Sequence, residues 1–143
     1  MTSFERLSVS PAMSALSLSV PARRDQLPVL RAMTRTVAAQ YALSMDALAD
    51  LVLAVDEAAN TLVSHARSTT SMVCAFDSAT GPERLRLSLT AITSSPVDSS
   101  TSSFGWFVLQ TLGDRVALHQ DAVGAITDDQ SVTITLEKAL QVG

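Results

Sequence analysis

Lysine, cysteine, histidine and the aromatic residues are all scarce in this chain of 143 residues. One cysteine, Cys74, excludes a disulfide within the chain. Two histidines, His65 and His119, with no second cysteine leave no ligand set for zinc, so no metal site is expected. Aromatic residues make up only 4% of the chain, too little for the platforms that stack single-stranded nucleic acid. Ten basic side chains face 14 acidic ones, for a formal net charge of -4. That balance argues against a broad basic face and so against direct binding to nucleic acid. No apolar run approaches the roughly 20 residues that span a bilayer. The N-terminus carries Glu5 and several serines where a secretory signal has a continuous apolar region. Together these features predict a cytoplasmic protein without membrane contact. Three glycine motifs are missing as well. There is no G-x-x-x-x-G-K-[ST], no G-x-G-x-x-G and no G-x-S-x-G, so those phosphate loops and the hydrolase elbow are not expected.

Core-forming material is abundant. Hydrophobic residues make up 47% of the chain, enough for one packed domain of this length. The Ser-rich stretch 1–13 has no sustained period and is expected to be a flexible tail. The remaining residues, 14–143, are expected to form a single domain. Ser14–Val20 alternates, with Leu16, Leu18 and Val20 on one side, and predicts a half-buried strand ended by Pro21. Asp25 is the expected N-cap of a first helix, with Pro28 tolerated in its first turn. Leu27, Leu30, Met33, Val37 and Tyr41 recur at helical spacing, and Arg24, Arg31 and Arg35 lie on another stripe. Ser44 is the expected cap of a second helix, whose buried side runs through Leu48, Leu51, Val52, Val55, Ala59, Leu62 and Ala66. Strands follow. Met72, Cys74 and Phe76 alternate with Val73 and Ala75. Gly81-Pro82 reads as a turn. Leu85, Leu87, Leu89 and Ala91 alternate with Arg84, Arg86, Ser88 and Thr90. The Ser/Thr stretch Ser94–Ser103 predicts a mobile loop. Phe104–Leu112 predicts a short apolar helix ending near Gly113. Arg115–His119 and Val132–Leu136 predict two last strands. This order predicts an α+β two-layer sandwich: a mixed, mostly antiparallel sheet with helices on one face.

The second helix holds the most informative polar pattern. Glu57, Asn60, Thr61 and Ser64 stand at i, i+3, i+4 and i+7 and therefore share one face. Such a face is either simply solvated, or it holds a carboxylate beside small polar groups, an arrangement suited to general-base work near a phosphate-bound cation.

The stretch Val55-Asp56-Glu57-Ala58-Ala59-Asn60-Thr61-Leu62-Val63-Ser64-His65-Ala66 resembles the helix motif V-S-E-A-x-T-N-A-V-x-H-A of the RsbW/UsfX-type anti-sigma factors. These are a branch of the gyrase–chaperone–histidine-kinase (GHKL, Bergerat-like) ATPases. The resemblance extends over about residues 14–136 and implies that fold. It places Glu57 at the family's general-base position. It also implies an ATP and magnesium site, but three of its segments depart from the family pattern. The magnesium-binding Asn position is Thr61, and the nearby Asn60 is turned by about 100° around the helix. The adenine-reading D-x-G is replaced by Ala91 and Thr93, and Ala91 cannot accept a hydrogen bond from the base. The second glycine box retains Gly105 alone, between Phe104 and Trp106, with Ser103 before them. Asn60 and Asp98 are the residues that would rebuild such a pocket. In the first helix, the family's sigma-contacting Arg falls on Arg31.

The resemblance thus implies an anti-sigma factor that sequesters an alternative sigma factor and is antagonised by an anti-anti-sigma protein. It also implies a homodimer with weakened or lost ATP chemistry. The alternative it carries is an ATP-dependent serine protein kinase acting on the anti-anti-sigma factor, with Glu57 as base.

Overall fold

The computed structural model describes residues 16–78, 84–97 and 104–141. The expected tail, the Gly81-Pro82 turn, Asp98 and Ser103 lie outside these residues.

Alternation in the sequence becomes a five-stranded sheet. Its strands are β1 (Leu16–Pro21), β2 (Ser71–Ser78), β3 (Arg84–Thr93), β4 (Arg115–Ala122) and β5 (Gln130–Ala139). Their order in space is β1-β2-β3-β5-β4, and every pairing is antiparallel, with no parallel pair among the described strands. The registers Val20↔Met72, Cys74↔Leu89 and Leu89↔Ile134 align the apolar positions of successive strands. Met72, Cys74, Phe76, Leu85, Leu87, Leu89, Ala91, Val132, Ile134 and Leu136 all point inward and are buried. A period of two allows this because one face of each strand carries the apolar side chains.

Among the described residues, three helices cover that face: α1 (Leu27–Ala38), α2 (Met45–His65) and α3 (Phe104–Leu112). The central helix α2 packs against α1, α3, β3 and β5. Its buried stripe is Leu51, Val52, Ala54, Val55, Ala58, Ala59 and Leu62. The small residues in that stripe let the helix lie close to the sheet. Leu30 and Val37 of α1 and Leu109 of α3 complete the same core. The α+β sandwich expected from the element order is therefore the observed fold.

The helix starts differ from one another. Ser44 caps α2, its side chain accepting a hydrogen bond from the Ala47 amide at 3.0 Å. Asp25 does not cap α1. It sits inside a 3-10 turn, Arg24–Gln26, and its carboxylate accepts from the Arg23 and Gln26 side chains instead. The N-cap residue of α1 is Gln26, without a side-chain cap bond, and Pro28 occupies the first turn. Proline pre-sets φ there and needs no amide partner, so the helix can start without a capping side chain.

One ionic contact ties the layers together at the far end of α3. The Lys138 amine of β5 donates to the Leu112 carbonyl at 2.7 Å and lies 3.4 Å from Asp50 of α2 and 3.8 Å from Asp114. Its side chain is only 12% exposed. A cation at this place satisfies a helix C-terminal carbonyl that the helix itself leaves unpaired.

Candidate functional site

The middle of α2 presents its polar face between α1 and α3. Thr61, one turn after Glu57, donates its hydroxyl to the Glu57 carbonyl at 2.9 Å and lies 3.5 Å from Glu57 Oε2. Ser64 repeats the local pattern, donating to the Asn60 carbonyl at 2.7 Å. Hydroxyls bonding back along a helix in this way are held close to the backbone. Asn60, which lines the same groove as Glu57, accepts at its Oδ1 from Arg24 Nη1 at 3.1 Å, and Ser64 Oγ accepts from Arg24 Nη2 at 3.1 Å. Asn60 thus serves as an anchor for the turn before α1.

Gly105 brings α3 onto this face. A methyl group added at its α-carbon would lie 2.6 Å from Glu57 Oε2 and 3.7 Å from Thr61 Oγ1. A side chain here would push the Glu57 carboxylate aside. Glu57, Thr61 and Gly105 therefore form one cluster, with the first turn of α3 resting on the Glu57 carboxylate. Trp106 is partly buried against the core, and Phe107 is exposed.

Ala91 and Thr93, at the end of β3, lie away from this cluster, near the C-terminal end of α2. The Arg67 amide donates to the Ile92 carbonyl and the Ser94 amide to the His65 carbonyl, which fastens the end of β3 to the C-terminus of α2. Thr93 forms an isolated bridge with Ala66 there. The Ala91 methyl points into the core, and Thr93 is fully buried with its hydroxyl donated to the Ser95 carbonyl at 2.7 Å. His65 Nδ1 contacts the Thr61 carbonyl at 2.9 Å. Among the described residues, no three His, Cys, Asp or Glu side chains converge as a metal-ion cluster.

Arg31 lies on α1, facing Asp56 of α2. Its Nε donates to both oxygens of Asp56, at 3.1 and 3.0 Å. The two side chains are 37% and 30% exposed. The pair fixes the guanidinium through one edge, and among the described residues its two terminal amino groups have no partner. A groove of about 510 Å³ opens beside it, with Leu27, Arg31, Leu53, Asp56, Glu57 and Val108 in its walls. The structure thus places Arg31 and Glu57 on one groove, while Ala91 and Thr93 stand apart. Asp56, Leu53 and Val108 were not singled out by sequence reasoning. Asp56 had one available signal: it is the carboxylate immediately before Glu57.

Electrostatics elsewhere are local. Burial pushes the Cys74 thiol up to about 12, which leaves it a small apolar group in the core. Hydrogen bonding to Asp77 on the neighbouring strand holds Arg86 above its ordinary value.

No curated protein matches the chain. Among solved structures, the fold is similar to that of the RsbU and RsbW domains of Rv1364c from Mycobacterium tuberculosis. That match has a TM-score of 0.63 and 17% identity, and it covers 92% of this chain and 34% of that one. The chain therefore spans about a third of the length of that protein. Among the described residues no helix is long and apolar enough to cross a membrane. The histidine kinase-like ATPase domain family matches residues 20–128, most of the chain, across β1 to β4 and all three helices. This chain belongs to the histidine kinase-like ATPase domain family.

Proposed function

We propose that this chain is an anti-sigma factor, a family scaffold kept for protein binding, with its nucleotide chemistry weakened. The observation that carries this reading is the contrast between the positions the resemblance assigns to nucleotide and the Arg31 guanidinium. At the nucleotide positions that the resemblance assigns, Ala91 is a buried methyl in place of an acceptor, the Thr93 hydroxyl is already donated, and α3 rests on Glu57. Losing one specific polar contact to a base typically costs about 1–3 kcal/mol. Thr61 is a weak cation ligand whose hydroxyl is turned to the Glu57 carbonyl. Arg31, by contrast, is oriented by Asp56 with two amino groups available to a carboxylate on a partner. A guanidinium fixed before the partner arrives loses less rotamer freedom on binding.

In this reading the chain acts in the cytoplasm as a homodimer. It covers a surface that an alternative sigma factor needs for RNA polymerase, and an anti-anti-sigma protein releases it by competition. Isothermal titration of purified alternative sigma factors in nucleotide-free buffer is the test. One of them should bind tightly, and Arg31→Ala should weaken it at least tenfold, whereas Arg115→Ala on the sheet edge should not. Strict dependence of binding on ATP or ADP would overturn the reading.

A second reading rests on Glu57, a half-buried carboxylate at the groove beside Arg31. It makes the chain a serine protein kinase for the anti-anti-sigma factor, with ATP and magnesium held near Glu57, Thr61 and Gly105. Micromolar binding of Mg-ATP would favour it, and a dissociation constant in the millimolar range would favour the first.

A further inference from the structure

The two edges of the sheet are built differently. β1 has six residues and closes on Pro21, which has no amide to donate. β4 has eight residues, none of them proline or lysine, and runs beside β5 without a bulge from Arg115↔Glu137 to Ala122↔Gln130. Bulges, proline and lysine are the means by which natural sheets blunt an open edge, and a regular edge without them is a template for another strand. Among the described residues no strand pairs with the outer edge of β4. The Val123 amide donates to the Asp129 carbonyl at 3.0 Å, in the register of the same ladder, so the odd-numbered residues of β4 bond to β5. The amides and carbonyls of Val116, Leu118 and Gln120 therefore face the open edge. Val116 and Leu118 pack their side chains against the core, whereas Arg115, Ala117, His119 and Asp121 stand exposed on the outer face. Glu137, the neighbour of Arg115 on β5, is taken by Arg84 at 3.3 Å, and Arg115 has no ion pair among the described residues. Asp121 contacts His119 Nε2 at 2.7 Å. Charges of opposite sign thus close the two ends of the strand.

We propose that β4 pairs antiparallel with β4 of a second copy of this chain, with Leu118 on the two-fold axis, so that a single sheet runs through both copies. The inference rests on the homodimer of the proposed function and assigns its contact. Open amides and carbonyls meet only when an even-numbered residue faces an even-numbered one, which leaves few registers. Centring on Ala117 sets Arg115 against His119, and centring on His119 sets the two histidines against each other. Only the register centred on Leu118 sets Arg115 against Asp121 of the second copy, and it does so twice. In that register Ala117 faces His119, small against large, Leu118 meets its own copy on the core side, and Val116 faces Gln120. The outer-face pairs then fall at the non-hydrogen-bonded sites, where facing side chains come closest. The even-numbered pairs supply about six main-chain hydrogen bonds across the axis. A row of charge that complements itself when reversed end to end is what an isologous two-fold contact requires.

Sedimentation velocity of the full chain over a range of concentrations reads the dimer dissociation constant. Arg115→Asp or Asp121→Arg sets like charges face to face at both ends of the contact and should raise that constant about tenfold. The double variant Arg115→Asp/Asp121→Arg carries both changes within each chain yet restores opposite charges across the axis. It should return to within about threefold of the native value. Arg115→Ala removes attraction without adding repulsion, keeps the main-chain bonds, and should shift the constant by only about threefold. The register is read by oxidising cysteine variants. Ala117→Cys mixed with His119→Cys should give a disulfide-linked pair of the two variants, because facing residues at such sites lie about 4.5 Å apart at Cα. Either variant alone should give none, since like positions are offset by about 7 Å along the strands and the native Cys74 is buried. A dimer whose constant ignores both reversals, a double variant as weak as the single ones, or equal crosslinking in the single-variant samples overturns the edge contact and leaves the homodimer standing. A chain that stays monomeric at every concentration overturns both, while the anti-sigma reading is judged separately by its titration.

Discussion

Replacing Gly105 by alanine sets two effects of opposite sign against each other. Alanine favours a helix over glycine by about 1 kcal/mol in the interior and by less in the first turn. Gly105 is the second residue of α3, so a gain of about 0.5 kcal/mol is expected from propensity alone. Against it, the new methyl would lie 2.6 Å from Glu57 Oε2 and 3.3 Å from Glu57 Cδ, where ordinary contact begins at 3.4 Å. The backbone need not move, because that oxygen is the end of a flexible side chain. The carboxylate swings aside, and Thr61 Oγ1, 3.5 Å from Oε2, narrows the directions open to it. Forcing a side chain off its rotamer costs about 0.5–1.5 kcal/mol. In the native background Gly105→Ala should therefore cost about 0.5 kcal/mol net. In a Glu57→Ala background the clash is gone and the same substitution should stabilise by about 0.5 kcal/mol. The coupling between the two sites is thus about 1 kcal/mol. With a urea slope of about 1.5 kcal/mol per molar, the effect of Gly105→Ala on the midpoint should differ by about 0.7 M between the backgrounds. Urea unfolding of the four proteins, followed by far-ultraviolet circular dichroism, reads this directly. Equal effects of Gly105→Ala in both backgrounds would refute the contact between α3 and Glu57.

Two further outcomes are expected. Cys74, buried and with its thiol pushed up to about 12, should resist a thiol reagent at pH 8 in the native state and react fully in denaturant; rapid native labelling would contradict its place in the core. Asp25 should titrate below the ordinary aspartate range, because the Arg23 side chain hydrogen-bonds its carboxylate. A depressed folded-state value means that its contribution is present above the unfolded pKa and fades as pH falls through the folded one. Side-chain NMR titration should show its value moving back up in Arg23→Gln, and an unchanged value would remove Arg23 as the cause.

Much of the fold was legible because burial and periodicity coincide. The alternation at Arg84–Ala91 marks inward Leu85, Leu87, Leu89 and Ala91, as observed. The helical stripe of α2 and the Ser44 cap were equally direct, since each depends on neighbours within one turn. Strand ends were less so. Arg115–His119 extends to Ala122 and Val132–Leu136 extends to Gln130–Ala139, because ladder bonds between backbones continue past the last apolar side chain. Leu16, read as inward, is half exposed at the start of an edge strand, with a neighbour on only one side. The candidate site was legible only as a set of positions on helices. That Arg24 is held by Asn60 and Ser64 and that Arg31 is oriented by Asp56 depends on how α1 crosses α2. Contacts between residues 25 to 40 positions apart leave no period in a sequence. Asp25 shows the same limit at short range: the sequence offered a capping residue, and two neighbouring side chains claimed it.

Lys138 has a practical consequence for anyone handling the protein. It is the chain's one lysine, and its amine is closed in by the Leu112 carbonyl, Asp50 and Asp114. To acylating reagents, and to enzymes that modify lysine side chains, the native molecule offers no open lysine amine. Coupling to a sensor surface through lysines would therefore favour molecules that have come apart, and a binding assay built that way would count the wrong population. Turned around, the fraction of Lys138 acylated after a brief pulse is a direct gauge of how often the junction of α2, α3 and β5 opens.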